Sequence, residues 1–188
     1  PVTDTLIPGA ANYLVSLANI NGARVYGRMA VPEGQGPFPA VLIVPGAGVG
    51  AMRPWRDFVN AGFVTLAIDV HGIPQDRDRS YYEGLRKGVL AGYQLFGCDD
   101  PYQFYYRRVI LGCIRAIDYL ASRPDVDSTR LAIAGSSQGG ALSLLTAGLD
   151  TRIKGLAANV PAMCDHAGSL YGRPSGWPRM LRVDSRDC

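Results

Sequence analysis

What the sequence lacks narrows its function first. Its four cysteines, Cys98, Cys113, Cys164 and Cys188, show no C-x-x-C spacing, so free thiols are expected rather than a disulfide framework. No run of eighteen apolar residues occurs, so no helix is expected to span a membrane. The first twenty residues have no basic start followed by an apolar core. Because the chain opens at Pro1, that leaves the compartment open, cytoplasmic or secreted. A basic stripe is missing as well. The net charge of +3 comes from scattered arginines, with Arg107 and Arg108 the densest pair inside an ordered segment, and nucleic acid is not an expected partner. What remains, with 47% hydrophobic and 19% charged residues over 188 positions, is the balance of one globular domain with a sizeable core.

The order of patterns predicts an α/β fold. Residues Asn12 to Val31 hold two β-like runs joined by Asn21-Gly22, a dipeptide suited to the two positive φ angles of a tight hairpin turn. Continuous apolar runs of strand length then alternate with helical stretches. Pro39–Val44, Phe63–Ile68, Leu131–Ala134 and Gly155–Val160 read as strands buried on both faces of a mostly parallel sheet with right-handed crossovers. A long helix is expected from Pro101 to about Ser122, capped by Asp100 and stopped by Pro124. Its stripe is Val109, Ile110, Cys113, Ile114, Ile117 and Leu120. Gly72–Gly97 reads as an excursion with a short helix around Tyr81–Leu90, of a length usually tied to function or subunit contact.

The chemistry is concentrated in Gly135-Ser136-Ser137-Gln138-Gly139, a G-x-S-x-G pattern. The bare pattern is weak in a chain with 23 glycines, but its context is specific. A strand leads in and a helix leads out from Gly139. This is the layout of a nucleophile elbow, where the serine takes a strained conformation at the carboxyl edge of the sheet. Gly135 and Gly139 are expected because side chains there would collide in so tight a turn. A serine that merely caps the next helix would need no glycine on either side. Ser137 is therefore the candidate nucleophile, and Ser136 should point away. An acyl-transfer site also needs donors for the oxyanion. One would be the backbone N–H of Gln138. The other would come from the Gly-rich loop Pro45–Gly50, with Ala47 the candidate; a turn with no catalytic role is the alternative.

The stretches DPYQFYYRRVILGCIRAIDYL, RPDVDSTRLAIAGSSQGG and VPAMCDH resemble the acetyl xylan esterase and cephalosporin C deacetylase group, carbohydrate esterase family seven, over roughly Pro39 to Cys164. The resemblance implies an α/β-hydrolase fold with helices on both faces of the sheet, and a serine esterase removing acetyl groups from small-molecule or oligosaccharide esters. It implies Ser137 as nucleophile, Gln138 and Ala47 as oxyanion donors, and no metal or organic cofactor. A homo-oligomer is implied too, although His71-Gly72-Ile73 stands where the family usually has Arg-Gly-Gln. Alternatives are a peptidase, a dienelactone-hydrolase-like enzyme, or a catalytically silent scaffold on the same fold.

Family members place a catalytic Asp after the next strand and a catalytic His after the last. Here only Asp150, Asp165, Asp184 and Asp187 follow Ser137 among the carboxylates, and the chain has two histidines. His166 follows a strand and so lies at the same sheet edge as Ser137, but Asp150 falls at the far end of the next helix and Asp165 is its sequence neighbour. His71 also ends a strand at that edge. Neither makes a convincing base. The expectation is thus that residues 1–188 are a single but incomplete domain lacking its C-terminal strands, with little or no turnover by itself.

Overall fold

A computed structural model describes residues 7–181. Asp184, Asp187 and Cys188 lie outside the described residues. Six strands form one sheet: β1 (Ala10–Ala18), β2 (Arg24–Pro32), β3 (Phe38–Val44), β4 (Val64–Ile68), β5 (Val126–Ser136) and β6 (Ile153–Asn159). Their spatial order is β1-β2-β4-β3-β5-β6. The first two strands form an antiparallel hairpin and β2 runs antiparallel to β4, while β4, β3, β5 and β6 are parallel. This is the mostly parallel sheet expected.

Alternate residues of β3 serve two cores, as the pleat requires. Leu42 and Val44 join the large core beneath α3 (Tyr105–Ser122) and α4 (Gln138–Leu149). Val41 and Ile43 face a smaller cluster with Phe58 of α1 (Arg56–Asn60). Helices therefore cover both faces. Cys113 sits wholly buried in the α3 stripe, and burial pushes its thiol up to about 12, so it behaves as a core residue rather than a reactive one. Cys98, Cys113 and Cys164 are free thiols.

Four expectations need correction. The hairpin turn is wider than a two-residue loop. Asn21 and Gly22 do have positive φ, at 53° and 73°, but Ala18 pairs with Arg24 across five residues, and the Asn19 side chain accepts from the Ile20 N–H at the start of a 3-10 turn. The long helix begins at Tyr105, not Pro101. Asp100 caps a separate turn, accepting from Tyr102 N–H through its carboxylate and from Phe104 N–H through its carbonyl, and that local alternative halts the helix four residues short. Strand β6 is not buried on both faces: among the described residues it is the open sheet edge, as expected for a domain without its C-terminal strands, with Leu156 45% exposed. The short helix of the excursion, α2 (Arg79–Lys87), lies two to three residues ahead of its expected place because Asp78 caps it at Tyr81 N–H.

Candidate active site

Strand β5 ends at Ser136 and α4 begins at Gln138, so Ser137 is the whole of the turn between them. Its φ of 55° and ψ of −121° are costly for a residue with a side chain, of order 1–3 kcal/mol. The surroundings hold it there. Ser137 N–H donates to Asn159 O at 3.0 Å, and its carbonyl accepts from Ala141 N–H at 3.1 Å and Ala162 N–H at 3.0 Å. The hydroxyl forms no cap hydrogen bond with α4, so helix capping does not account for this serine. Ser136, by contrast, is engaged: its hydroxyl accepts from Asn159 Nδ2 at 3.3 Å.

Both flanking glycines are required, for different reasons. A Cβ on Gly135 would lie 2.4 Å from the Gly139 backbone across the turn. One on Gly139 would lie 2.1 Å from Val44 O and 2.7 Å from Pro45 O, against the end of β3 rather than across the elbow. Gly139 thus lets the elbow close onto the loop that follows β3.

That loop adjoins the serine. A Cβ on Gly46 would stand 3.4 Å from Ser136 O and 3.9 Å from Ser137 Cβ. Pro45–Met52 line a shallow, open cleft of about 270 Å³, and a neighbouring open cleft of about 530 Å³ shares Val49, Gly50 and Ala51 with it and is walled by Arg77, Tyr82 and Arg86. Ser137, Gln138 and the loop that carries Ala47 therefore lie side by side, joined at Gly46.

The Gln138 side chain is fully buried and ties elbow to loop, a role the sequence did not reveal. Its Oε1 accepts from Tyr93 Oη at 2.7 Å and Tyr106 Oη at 2.9 Å, and its Nε2 approaches Gly46 O at 3.5 Å. Burial raises the pKa of both phenols, which keeps them neutral donors. The Tyr105-Tyr106-Arg107-Arg108 run that opens α3 supplies Tyr106 to this contact and a second layer around His71. Tyr105 Oη meets His71 Nδ1 at 2.6 Å, and Arg108 lies over the Tyr105 ring at 4.3 Å while donating twice to His71 O. Below them Asp69 accepts from the N–H groups of His71 and Ile73, each at 2.9 Å.

Neither histidine hydrogen-bonds Ser137. His71 is 5% exposed, with Nε2 on Gly48 O at 2.6 Å and Nδ1 on Tyr105, so both ring nitrogens are committed. His166 has Nδ1 on Pro178 O at 3.2 Å. The carboxylates that could orient it are also engaged, Asp165 with Arg173 at 3.2 Å and Asp150 with Arg152 at 2.6 Å. Among the described residues, no group of three or more His, Cys, Asp or Glu side chains is placed to hold a metal ion.

A strained serine between required glycines, beside a loop of small residues, is the setting in which family comparison becomes informative. The family model for acetyl xylan esterase (AXE1) matches residues 2–170. The chain belongs to the acetyl xylan esterase family. Acetyl esterase Axe7A from Xylanibacter ruminicola is 39% identical over 176 residues, covering 91% of this chain and 40% of that protein. Among solved structures, an acetyl xylan esterase from Paenibacillus sp. R4 superposes with a TM-score of 0.74 at 33% identity, over 93% of this chain and 56% of that one. Acetyl xylan esterase 1 from Thermoanaerobacterium sp. gives 0.71 at 28% identity, over 86% and 51%. The α/β-hydrolase fold expected from the resemblance is thereby established, and the family match extends beyond the stretch that carried it. A dienelactone hydrolase-like phosphotriesterase, at 24% identity and TM-score 0.61, shares the fold. The chain spans 40% of the length of Axe7A and about half of each solved acetyl xylan esterase.

Proposed function

We propose that this chain supplies the nucleophile and oxyanion half of a serine esterase that removes acetyl groups from acetylated sugars through an acyl-enzyme. The single observation that carries the reading is Ser137, held at a costly φ beside the Gly46–Gly48 loop with its hydroxyl uncommitted to the helix it precedes. Ser137 Oγ attacks the acetyl carbonyl, and the N–H groups of Gln138 and Ala47 receive the oxyanion, where such donors are worth about 10²–10³ in rate each. The adjoining cleft of about 530 Å³ falls within the size of small-ligand sites and supports a sugar-sized substrate. Peptidase chemistry has less support, since the family match and Axe7A point to acetyl esters.

A serine hydroxyl needs a base, because it is protonated near neutral pH. Neither histidine offers one, so the base and its acid partner are proposed to come from sequence that Axe7A has and this chain does not span. The test measures acetate release from acetylated xylo-oligosaccharides by the chain alone and by the chain fused to the segment that continues Axe7A beyond the matched region. Turnover is expected in the fusion, with little or none from the chain alone, and Ser137→Ala should lower it by at least about 10³-fold. Turnover in the fusion that survives Ser137→Ala would remove the serine from the mechanism. Activity of the chain alone that disappears in His166→Ala would make His166 the base.

A further inference from the structure

The proposed oxyanion loop depends on one residue, Gly48, whose two polar backbone atoms are both held from outside the loop. Its N–H reaches Tyr93 Oη at 3.4 Å and its carbonyl meets His71 Nε2 at 2.6 Å. Gly48 has a φ of 140°, a region closed to other residues without strain, so the loop's path turns on this position. It also directly follows Ala47. Fixing the peptides on either side of Gly48 fixes the direction of the residue whose N–H is proposed to face the oxyanion.

The hydrogen-bond directions follow from donor chemistry alone. A carbonyl only accepts, so His71 Nε2 must carry the ring proton; in the neutral ring Nδ1 is then a lone pair, and Tyr105 Oη donates to it. Burial lowers the pKa of His71 and outweighs the raising effect of the Gly48 carbonyl, with the Arg108 charge adding to the lowering, so the neutral ring that this arrangement calls for is the favoured one. The backbone at His71 is equally fixed, its N–H donating to Asp69 and its carbonyl accepting from Arg108. On the other side, Tyr93 donates to Gln138 Oε1, so Gly48 is linked to the residue after Ser137. The groups facing the His71 ring are the Tyr105 and Tyr93 rings, with Arg108 against the His71 carbonyl.

We propose that His71 is a positioning residue whose Nε2–H locks the Gly48 carbonyl and so presets the Ala47 loop against the elbow before substrate arrives. The inference rests on the serine esterase reading for its catalytic meaning, but not for its test. Nitrogen NMR of the chain should find His71 as the Nε2–H tautomer near neutral pH, with Nδ1 unprotonated. Two near-isosteric variants separate the ring's two contacts. In His71→Gln the amide nitrogen can reach the Nε2 position and still donate to Gly48 O, whereas in His71→Asn the shorter side chain reaches only the Nδ1 position. Amide hydrogen exchange over residues 46–50 should rise by about tenfold or more in His71→Asn and stay within about threefold of wild type in His71→Gln. An Nδ1–H tautomer, or equal exchange in the two variants, would overturn the proposal, and the tautomer reads out even if His71→Asn fails to fold. Neither measurement involves turnover, so a failure here is distinct from a failure of Ser137→Ala to abolish acetate release.

Discussion

The two sides of the nucleophile elbow differ in how completely they are supported. On the β3 side, the loop, the Tyr105-Tyr106 end of α3 and the end of β4 form a closed polar network in which His71, Gln138, Tyr93 and Tyr106 all have partners, over a core whose β3 residues are at most 1% exposed from Val41 to Val44. On the β6 side, α4 shows Leu144, Leu145 and Leu149 to solvent and β6 shows Leu156, with Leu149 64% exposed. The difference teaches which half of the chemistry these residues can set up. The β3 loop is tied to the elbow through Gln138, and Ser137 itself is held by Asn159 at the end of β6 and by Ala141 and Ala162, whereas no side chain described on the β6 side hydrogen-bonds the Ser137 hydroxyl as a base would.

The sharpest way to break the supported side is Gly139→Ala. A methyl group 2.1 Å from Val44 O cannot be accommodated without separating the elbow from β3, and backbone rather than a flexible side chain is what it meets. Chemical denaturation should show a loss of more than about 3 kcal/mol, or no folded protein at all, which is well beyond the common range for point substitutions. A small loss would mean that the elbow and loop are not in contact in solution. Next in size is a matched pair of leucines. Leu42→Ala in β3, at 0% exposure, should cost about 2–5 kcal/mol, while Leu156→Ala in β6, at 45%, should change stability by no more than about 0.5 kcal/mol in the isolated chain. Equal costs would show that β6 is covered in solution, by a second copy or by another segment.

A third expectation concerns Asp69, beneath the loop. Burial pushes its carboxyl up to about 6, against the lowering effect of the Ile73, His71 and Gly72 N–H groups. A folded-state pKa above the unfolded value means that the folded protein binds the extra proton between the two. The stabilisation is therefore present at low pH and lost as pH rises through about 6. Asp69→Asn keeps an acceptor for the same N–H groups and does not titrate. Relative to wild type it should gain up to about 3 kcal/mol between about pH 4 and about pH 7. Urea midpoints of the two proteins at both pH values give the answer, and a difference that is flat with pH would mean that Asp69 ionises normally.

The sheet, the elbow and its glycines were legible because each has a local cause: apolar runs of strand length, and a turn too tight for a Cβ. The start of α3 was misread because Asp100-Pro101 is as good a cap for a turn as for a helix, and only the packing of Tyr105 and Tyr106 against His71 and Gln138 decides where the helix begins. The roles of His71 and the Gln138 side chain were hidden for a related reason. Their partners lie 23 to 45 positions away, at Gly48, Tyr105, Tyr106 and Tyr93, and no spacing rule connects them. A usable signal did exist, since the YYRR run puts two adjacent tyrosines on a helix that must pack beside the elbow, and a buried tyrosine needs a partner for its hydroxyl. The apolar run of β6 by itself pointed to two buried faces, but its exposure was legible from its place as the last strand of the sheet, since burial of an edge strand depends on what lies beyond it.

The smallest effect returns to α4, the helix that has one end in each region. Gly139 and Gly140 at its start are held against β3 and β6, where an added Cβ would come within 2.1 Å of Val44 O and 2.9 Å of Asn159 O. Gly148 lies near the other end of the same helix, is exposed, has no positive φ, and an added Cβ there would meet nothing within 4 Å. With no contact to break, only backbone entropy and helix propensity remain, and both favour alanine. Gly148→Ala should therefore stabilise the chain by about 0.5 kcal/mol, toward the low end for such changes because the site is in the last turn. The thermal midpoint should rise by a few degrees at most. A destabilisation would mean that the exposed side of α4 is in close contact with something at Gly148, and would remove the basis for treating the two ends of the helix differently.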